Sequence, residues 1–265
     1  MQPRSYKPTH LSPSSIGMFL EDPARWVLRY GYGVYGRQSP AMLKGIAVEA
    51  GVQAIWWPTL VGKTLEERER FALKVAQNNF MIGVGGAFRD SKDELTYATL
   101  EDALYHAVRG VMQVIAPTTF MPLFQQRCEE PYLYAGLKMP VLGYCDFWWP
   151  TLGERGVLID LKVTSRIPSE VSRGHARQVM HYRAALNGPQ AMLVYASDKK
   201  FSVIEPTEEQ LLEGEREIVR TGRVMARLLE RYEWRDLVGM FAPNFDSYVW
   251  CDESREAAER LWLTL

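Results

Sequence analysis

The spacing acid, any residue, lysine occurs three times in this chain, at Asp90-Ser-Lys92, Asp160-Leu-Lys162 and Asp198-Lys-Lys200. Context separates the three. Asp90 stands in a glycine-rich loop and Asp198 in a polar turn, where charges are simply solvated, whereas Asp160 follows the apolar run Val157-Leu-Ile159. Successive side chains of a strand point to opposite faces, so Asp160 and Lys162 share one face while Ile159 and Leu161 pack into the other. One strand earlier, Val141-Leu-Gly-Tyr-Cys145 leads into Asp146 and then Phe147-Trp-Trp149. A hairpin turning near residues 151–155 would bring Asp146 beside Asp160. Two carboxylates facing each other among apolar side chains repel, and burial adds to the cost unless a cation neutralises them. Oxygen-only donors favour magnesium or manganese, with the Leu161 backbone carbonyl as a further ligand. Lys162 would then orient or help deprotonate an attacking water, or stabilise a charged transition state. The competing reading is a structural ion pair of Asp160 and Lys162 on a half-exposed strand.

Two further positions fit the first reading. Glu49 is the only acid in the apolar stretch 41–57, and Gly45 one turn earlier is expected to let another backbone approach. A third cation ligand fits Glu49, although a solvated stripe with Lys44 and Gln53 would explain it as well. Gln178 and Tyr182 are spaced i, i+4 on the helix expected after the Asp160 strand, so both can turn toward the site. His10, His106, His175 and His181 do not cluster as ligands and receive no catalytic role; His181 is read as a helix-face residue beside the site.

Several elements must position these residues. Ser12, Pro13 and the apolar spacing of Ile16, Phe19 and Leu20 predict a helix from there to about Arg29. Residues 41–57 predict a buried helix stopped by Pro58, and 64–79 and 96–115 two helices of an insertion spanning about 64–120. From Cys128 the period shortens: Pro131 to Ala135, Lys138 to Trp149 and Gly156 to Thr164 predict three strands. A helix over 169–186, two strands at 191–196 and 201–204 joined by a turn at 197–200, and a long helix capped by Thr207 and ending near Trp234 complete the order. Such an order predicts an α/β or α+β fold with a central sheet flanked by helices, elaborated as one domain with a helical insertion and a C-terminal helical segment from about 207.

Composition narrows the functional classes. With 265 residues and 47% hydrophobic content the chain can bury a substantial core. No run approaches the roughly 20 apolar residues of a membrane span, and the polar start Met1-Gln-Pro-Arg-Ser lacks the apolar stretch of a signal peptide, so a cytoplasmic protein without membrane partners is expected. Three scattered cysteines, Cys128, Cys145 and Cys251, suggest neither disulfides nor a zinc site. A net charge of −1 excludes a protein that coats nucleic acid, so any contact with DNA must be local.

Taken in order, Leu11-Ser-Pro-Ser-Ser-Ile16 with Asp22-Pro23, Gly45-Ile-Ala-Val-Glu49, Gly143-Tyr-Cys-Asp146, Ile159-Asp-Leu-Lys162 and Gln178-Val-Met-His-Tyr182 resemble the RecB-type branch of the PD-(D/E)XK nucleases. The resemblance covers roughly residues 11–205 apart from the insertion. It implies a restriction-endonuclease-like core, hydrolysis of DNA phosphodiesters, metal ligation by Glu49, Asp146, Asp160 and the Leu161 carbonyl, and a catalytic set completed by Lys162, Gln178 and Tyr182. Glutamate at position 49, where many RecB-like nucleases have histidine, looks more like the lambda-exonuclease kind of phage recombination enzyme. Relatives that hold an iron-sulfur cluster use one early and three late cysteines; here Asp22 stands at the early position and only Cys251 is late, so no cluster is expected.

The resemblance therefore implies an exonuclease acting on DNA ends in phage recombination or repair, in the host cytoplasm, with a single-strand annealing or recombination protein, or further copies of the chain, as partners. Arg25 and Arg29, four apart, would clamp a terminal phosphate, with Ser14, Arg166 and Arg177 as further DNA contacts. The alternatives are an endonuclease of the same core and, from another class, a non-catalytic DNA-binding or assembly subunit. The segment 242–251 looks like the C-terminal part of phage exonucleases of this group, and reads equally well as aromatic packing on the core.

Overall fold

A computed structural model describes every residue except 117–119, 248 and 264–265, so the end of the expected insertion and Tyr248 of the aromatic tail lie outside the described residues. Helices α1 (Pro13–Glu21), α2 (Pro23–Tyr32) and α3 (Pro40–Ala54) open the chain, followed by α4 (Leu65–Gly83), α5 (Ser91–Ala98) and α6 (Leu100–Ile115). Strands β1 (Leu123–Glu130), β2 (Val141–Trp149) and β3 (Val157–Val163) precede α7 (Arg173–Ala185), β4 (Gln190–Ala196) and β5 (Phe201–Ile204). Helices α8 (Glu208–Arg231), α9 (Trp234–Met240) and α10 (Asp252–Trp262) follow.

The strands form one mixed sheet in the order β1-β2-β3-β4-β5. All neighbours are antiparallel except β3 and β4, which run parallel and are joined through α7. On one face, Ile159 and Leu161 of β3 and Val194 of β4 pack against Ala47, Val48 and Val52 of α3, Phe80 of α4 and Val108 and Val111 of α6. On the other, Leu158, Leu193 and Tyr195 meet Val179 and Tyr182 of α7 and Leu211 of α8. A third cluster joins α1, α2, α8, α9 and α10 around Trp26, Ile218 and Trp234. The molecule is thus an α/β fold with a mixed sheet between helical layers, and among the described residues no helix is long and apolar enough to cross a membrane.

Three expectations need correcting. The single helix expected to Arg29 is two, because Pro23 drives Asp22 out of the helical region to φ −157° and ψ 100°, and the Asp22 side chain then caps α2 through the Arg25 N–H. The strand expected at 131–135 is a 3-10 turn at 133–135 between Tyr132 and Gly136, both with positive φ. The real first strand, β1, is the edge sequence Leu-Phe-Gln-Gln-Arg-Cys-Glu-Glu, too polar to show the alternation that marks a strand. The long helix expected from Thr207 to near Trp234 is present as α8, which ends at Arg231, and the short α9 follows it. Finally, α4 and α6 share the core of α3 and the sheet, so residues expected as an insertion beside the core are one of its layers.

Candidate active site

Asp160 and Lys162 project from the same face of β3, and Lys162 Nζ lies 2.6 Å from Asp160 Oδ2. Strand periodicity accounts for this: Ile159 and Leu161 between them face the α3 side, within its hydrophobic cluster. Asp160 is fully buried, and apart from Lys162 no donor meets either carboxylate oxygen. A buried carboxylate balanced only by one neighbouring ammonium retains capacity for a further positive charge.

Asp146 reaches the same place from β2, where its Oδ2 accepts the Leu161 N–H at 2.9 Å. Regular alternation would not have put it there. Cys145 packs on the α7 side of the sheet, yet Phe147, two residues on, packs on the α3 side. The strand therefore changes phase at Asp146. Strand β1 does the same: Cys128 faces α7 whereas Phe124 packs against the α3 cluster. The pairs Phe124 with Phe147 and Gln126 with Cys145 leave Gln125 opposite Asp146, and Gln125 has φ +46°.

Glu49 enters from α3, a helix capped by Ser39 with Pro40 at its first position. Its Oε1 accepts from Gln53 Nε2 at 2.8 Å and from Gln125 Nε2. Gly45, expected to admit a neighbouring backbone, faces open space. The close approach is instead at Gly51, where a Cβ would stand 2.9 Å from Leu104 and 3.0 Å from the Ala72 carbonyl.

The electrostatics show that the three carboxylates feel one another. Burial, and then the charges of Asp160 and Glu49, hold the Asp146 carboxyl well above the usual aspartate value. Burial likewise raises Glu49; the Gln125 amide opposes this, while Asp160 adds to it. For Lys162, burial works to lower the ammonium pKa, but Asp160 and Asp146 outweigh it and the net direction is upward. Lys162 is therefore a resident cation.

Helix α7 closes the α7 side. Gln178 Nε2 donates to Tyr182 Oη at 2.7 Å, and Tyr182 is buried with its hydroxyl held in the protonated form by burial and by the Asp160 charge. Gly143 makes room for that ring, since a Cβ there would lie 2.6 Å from Tyr182 Cε1. His181 is fully buried, with Nε2 3.1 Å from the Cys128 carbonyl and Nδ1 3.2 Å from Tyr132 Oη, and burial lowers it to about 4. It is a neutral structural contact between α7 and β1.

Sequence reasoning missed Gln125, His175 and Tyr195. His175 Nδ1 is 2.8 Å from Tyr195 Oη, and Tyr195 pairs with Lys162 in the parallel register. Burial and then the Lys162 charge lower His175, and burial moves Tyr195 to about 12. The spacing of His175 to Gln178 and Tyr182 at i+3 and i+7 was a legible sign of a shared helix face. Gln125 carried no sign in the sequence.

The expected DNA contacts lie in varied settings. Ser14 is exposed, with Oγ 3.0 Å from Ser12 Oγ. Arg25 stands 3.9 Å from Glu21, and the Arg29 guanidinium lies over the Tyr35 ring at 4.7 Å, so neither is held toward its partner in a ready-made clamp. Arg166 is exposed and lines a cavity of about 970 Å³ together with Arg173, Arg216, Glu209 and Glu213. Arg177, expected at the DNA surface, is instead buried and ion-paired with Glu217 at 2.7 Å, which commits its charge to joining α7 and α8. Asp90 caps α5 through the Lys92 and Asp93 N–H groups, and Asp198 sits in the turn between β4 and β5. Asp22 accepts from Trp250 Nε1 at 2.8 Å and from the Asn244 N–H, so the aromatic tail packs back on the junction of α1 and α2.

Among the described residues, no three acidic, histidine or cysteine side chains converge tightly enough to form a finished cation cage. Each carboxylate is turned toward a protein donor: Asp146 to the Leu161 N–H, Glu49 to two amides, and Asp160 to Lys162. The donor set nonetheless fits a hard divalent cation, being three oxygen acids of which the buried Asp160 meets no donor but the Lys162 ammonium. No family model and no curated protein matches the chain. One solved structure, titled "Crystal structure of SSO0001", is similar with a TM-score of 0.35 and 14% identity, over 66% of this chain and 84% of that one.

Proposed function

We propose that this chain is a cation-dependent nuclease with a restriction-endonuclease-like, PD-(D/E)XK core of the RecB and lambda-exonuclease kind. On this reading it hydrolyses DNA phosphodiesters from DNA ends, in phage recombination or repair. The observation that carries the reading is the buried Asp160 carboxylate, met by the Lys162 ammonium alone and within the field of Asp146 and Glu49. Such an arrangement is costly as a structural device. Burying mutually repelling carboxylates with one ammonium leaves negative charge that a simple ion pair would not need.

Glu49, Asp146 and Asp160, with the Leu161 carbonyl, would hold magnesium or manganese. When bound there, the cation supplies Lewis-acid polarisation of the phosphodiester and a more acidic water. Lys162 stays protonated at neutral pH, since its pKa is raised, so it supports the reaction as a positive charge aimed at the developing phosphate charge, and is a poor general base. The Gln178 amide is fixed by Tyr182 and braces the α7 wall of the site. Tyr182, buried over Gly143, excludes water from the apolar side of the carboxylates.

An endonuclease of the same core is the second reading. It is favoured by the local engagement of Arg25 with Glu21 and of Arg29 with Tyr35, which leaves the expected end clamp unformed. The deciding experiment incubates end-labelled linear duplex and a covalently closed circle of the same sequence with protein plus magnesium, manganese or chelator. Progressive loss of the linear duplex with a divalent cation, with the circle intact, is the expected result. Comparable cutting of the circle selects the endonuclease. Binding without cleavage under every cation condition refutes the nuclease and leaves a DNA-binding subunit. The purified protein should also be colourless and free of stoichiometric iron.

A further inference from the structure

We infer that Gln125 is a positioning residue of this site, held in a left-handed backbone conformation so that its side-chain amide can set the Glu49 carboxylate toward Asp146 and Asp160. The inference rests on reading Glu49 as a cation ligand.

Backbone conformation is the first observation. Among the described residues three other than glycine have positive φ: Gln125 at +46°, Tyr132 at +46° and Asn187 at +64°. Asparagine tolerates this region, and Tyr132 opens a 3-10 turn. Gln125 alone lies inside a strand, flanked by residues paired in regular register with β2. A glutamine in that conformation is strained where glycine would not be, and such strain persists where the surroundings over-determine it.

Location is the second. The residue opposite Gln125 is Asp146, and both strands change face at this pair. The left-handed turn of the backbone at Gln125 thus accompanies the departure from alternation that lets Asp146 meet the Leu161 N–H.

The side chain gives the third. Gln125 is exposed, so no burial requirement dictates its contacts, yet its Nε2 donates to Glu49 Oε1 across 76 positions of sequence. With Gln53, it holds that oxygen from two directions. A neutral amide suits the task. Lysine or arginine would bring a fixed charge that competes with a cation, and a further carboxylate would add repulsion to a site that already holds three acids. The amide orients Glu49 while leaving its charge available, and it can be exchanged for a cation at small electrostatic cost.

The test measures Mn²⁺ binding to the full-length, metal-free chain by electron paramagnetic resonance, together with melting temperature in chelator. Wild type is compared with Gln125→Gly, Glu49→Gln, the double variant and Asp160→Ala. Glycine adopts the positive φ without strain, so Gln125→Gly should melt no lower than wild type while its Mn²⁺ half-saturation rises about tenfold. In the Glu49→Gln background the same change should add nothing further. Wild-type Mn²⁺ affinity in Gln125→Gly overturns the inference, as does equal weakening with and without Glu49; loss of binding in Asp160→Ala would show that the cation site itself still stands. Absence of Mn²⁺ binding in wild type is a different failure, which removes the cation reading and the inference with it.

Discussion

Asp146→Asn should make the metal-free protein more stable while destroying its cation response. The folded carboxyl at this position is held well above its ordinary value of 3.8 by burial and by Asp160 and Glu49. A carboxyl whose folded pKa is raised binds more protons in the native state than in the unfolded chain, so the contribution of this group to stability is fully present below pH 3.8. It falls as pH climbs from there to the raised value, at about 1.4 kcal/mol per pH unit, and then levels off. Asparagine keeps the acceptor for the Leu161 N–H, removes the buried charge, and gives an amide beside Asp160, which otherwise meets only the Lys162 ammonium. The gain at pH 8 in chelator is on the order of 1–3 kcal/mol, the usual cost of an uncompensated buried polar group. For a chain of this size that corresponds to roughly 2–4 °C in melting temperature per kcal/mol. Thermal unfolding followed by circular dichroism in chelator from pH 4 to 8 is the assay, repeated with magnesium and manganese. The advantage of the variant should grow with pH, and cations should raise the melting temperature of wild type alone. A variant that melts at or below wild type at pH 8, or whose advantage is the same at pH 4, would refute the electrostatic account.

Other substitutions probe different parts of the site. Asp160→Ala should lower cleavage by about 10²-fold or more, the scale of losing an electrostatic group that acts in the transition state, whereas Asp198→Ala in the hairpin turn should leave it near wild type; equal effects in a gel assay would refute the site assignment. Lys162→Ala should lower kcat with a modest change in DNA affinity, because its charge is directed at the transition state. Filter binding that collapses in step with turnover would make it a phosphate anchor instead. Arg177→Met should cost about 3–5 kcal/mol by stranding buried Glu217, while the pair Arg177→Met with Glu217→Leu should recover most of it. Urea unfolding decides between this and a surface role, for which both variants would be near neutral.

Much of this protein was legible in its sequence wherever one local period decided the outcome. The apolar run before Asp160 set the strand, and alternation alone put Asp160 and Lys162 on one face with Ile159 and Leu161 on the other. The Thr207 cap and the Ser12-Pro13 start were readable because a capping side chain acts within three residues. Tertiary structure decided what periodicity could not. Strand β1 was invisible because an edge strand needs little apolar surface, and with it went Gln125, whose contact with Glu49 joins residues 76 positions apart. Asp146 joined the site through a change of phase that no alternating pattern predicts, and Arg177 left the expected DNA surface because α8 brought Glu217 against it. Local rules read the types and faces of side chains, but the meeting of charges across distant elements is settled by packing, where burial raises the cost of each unpaired carboxylate and so selects its neighbours.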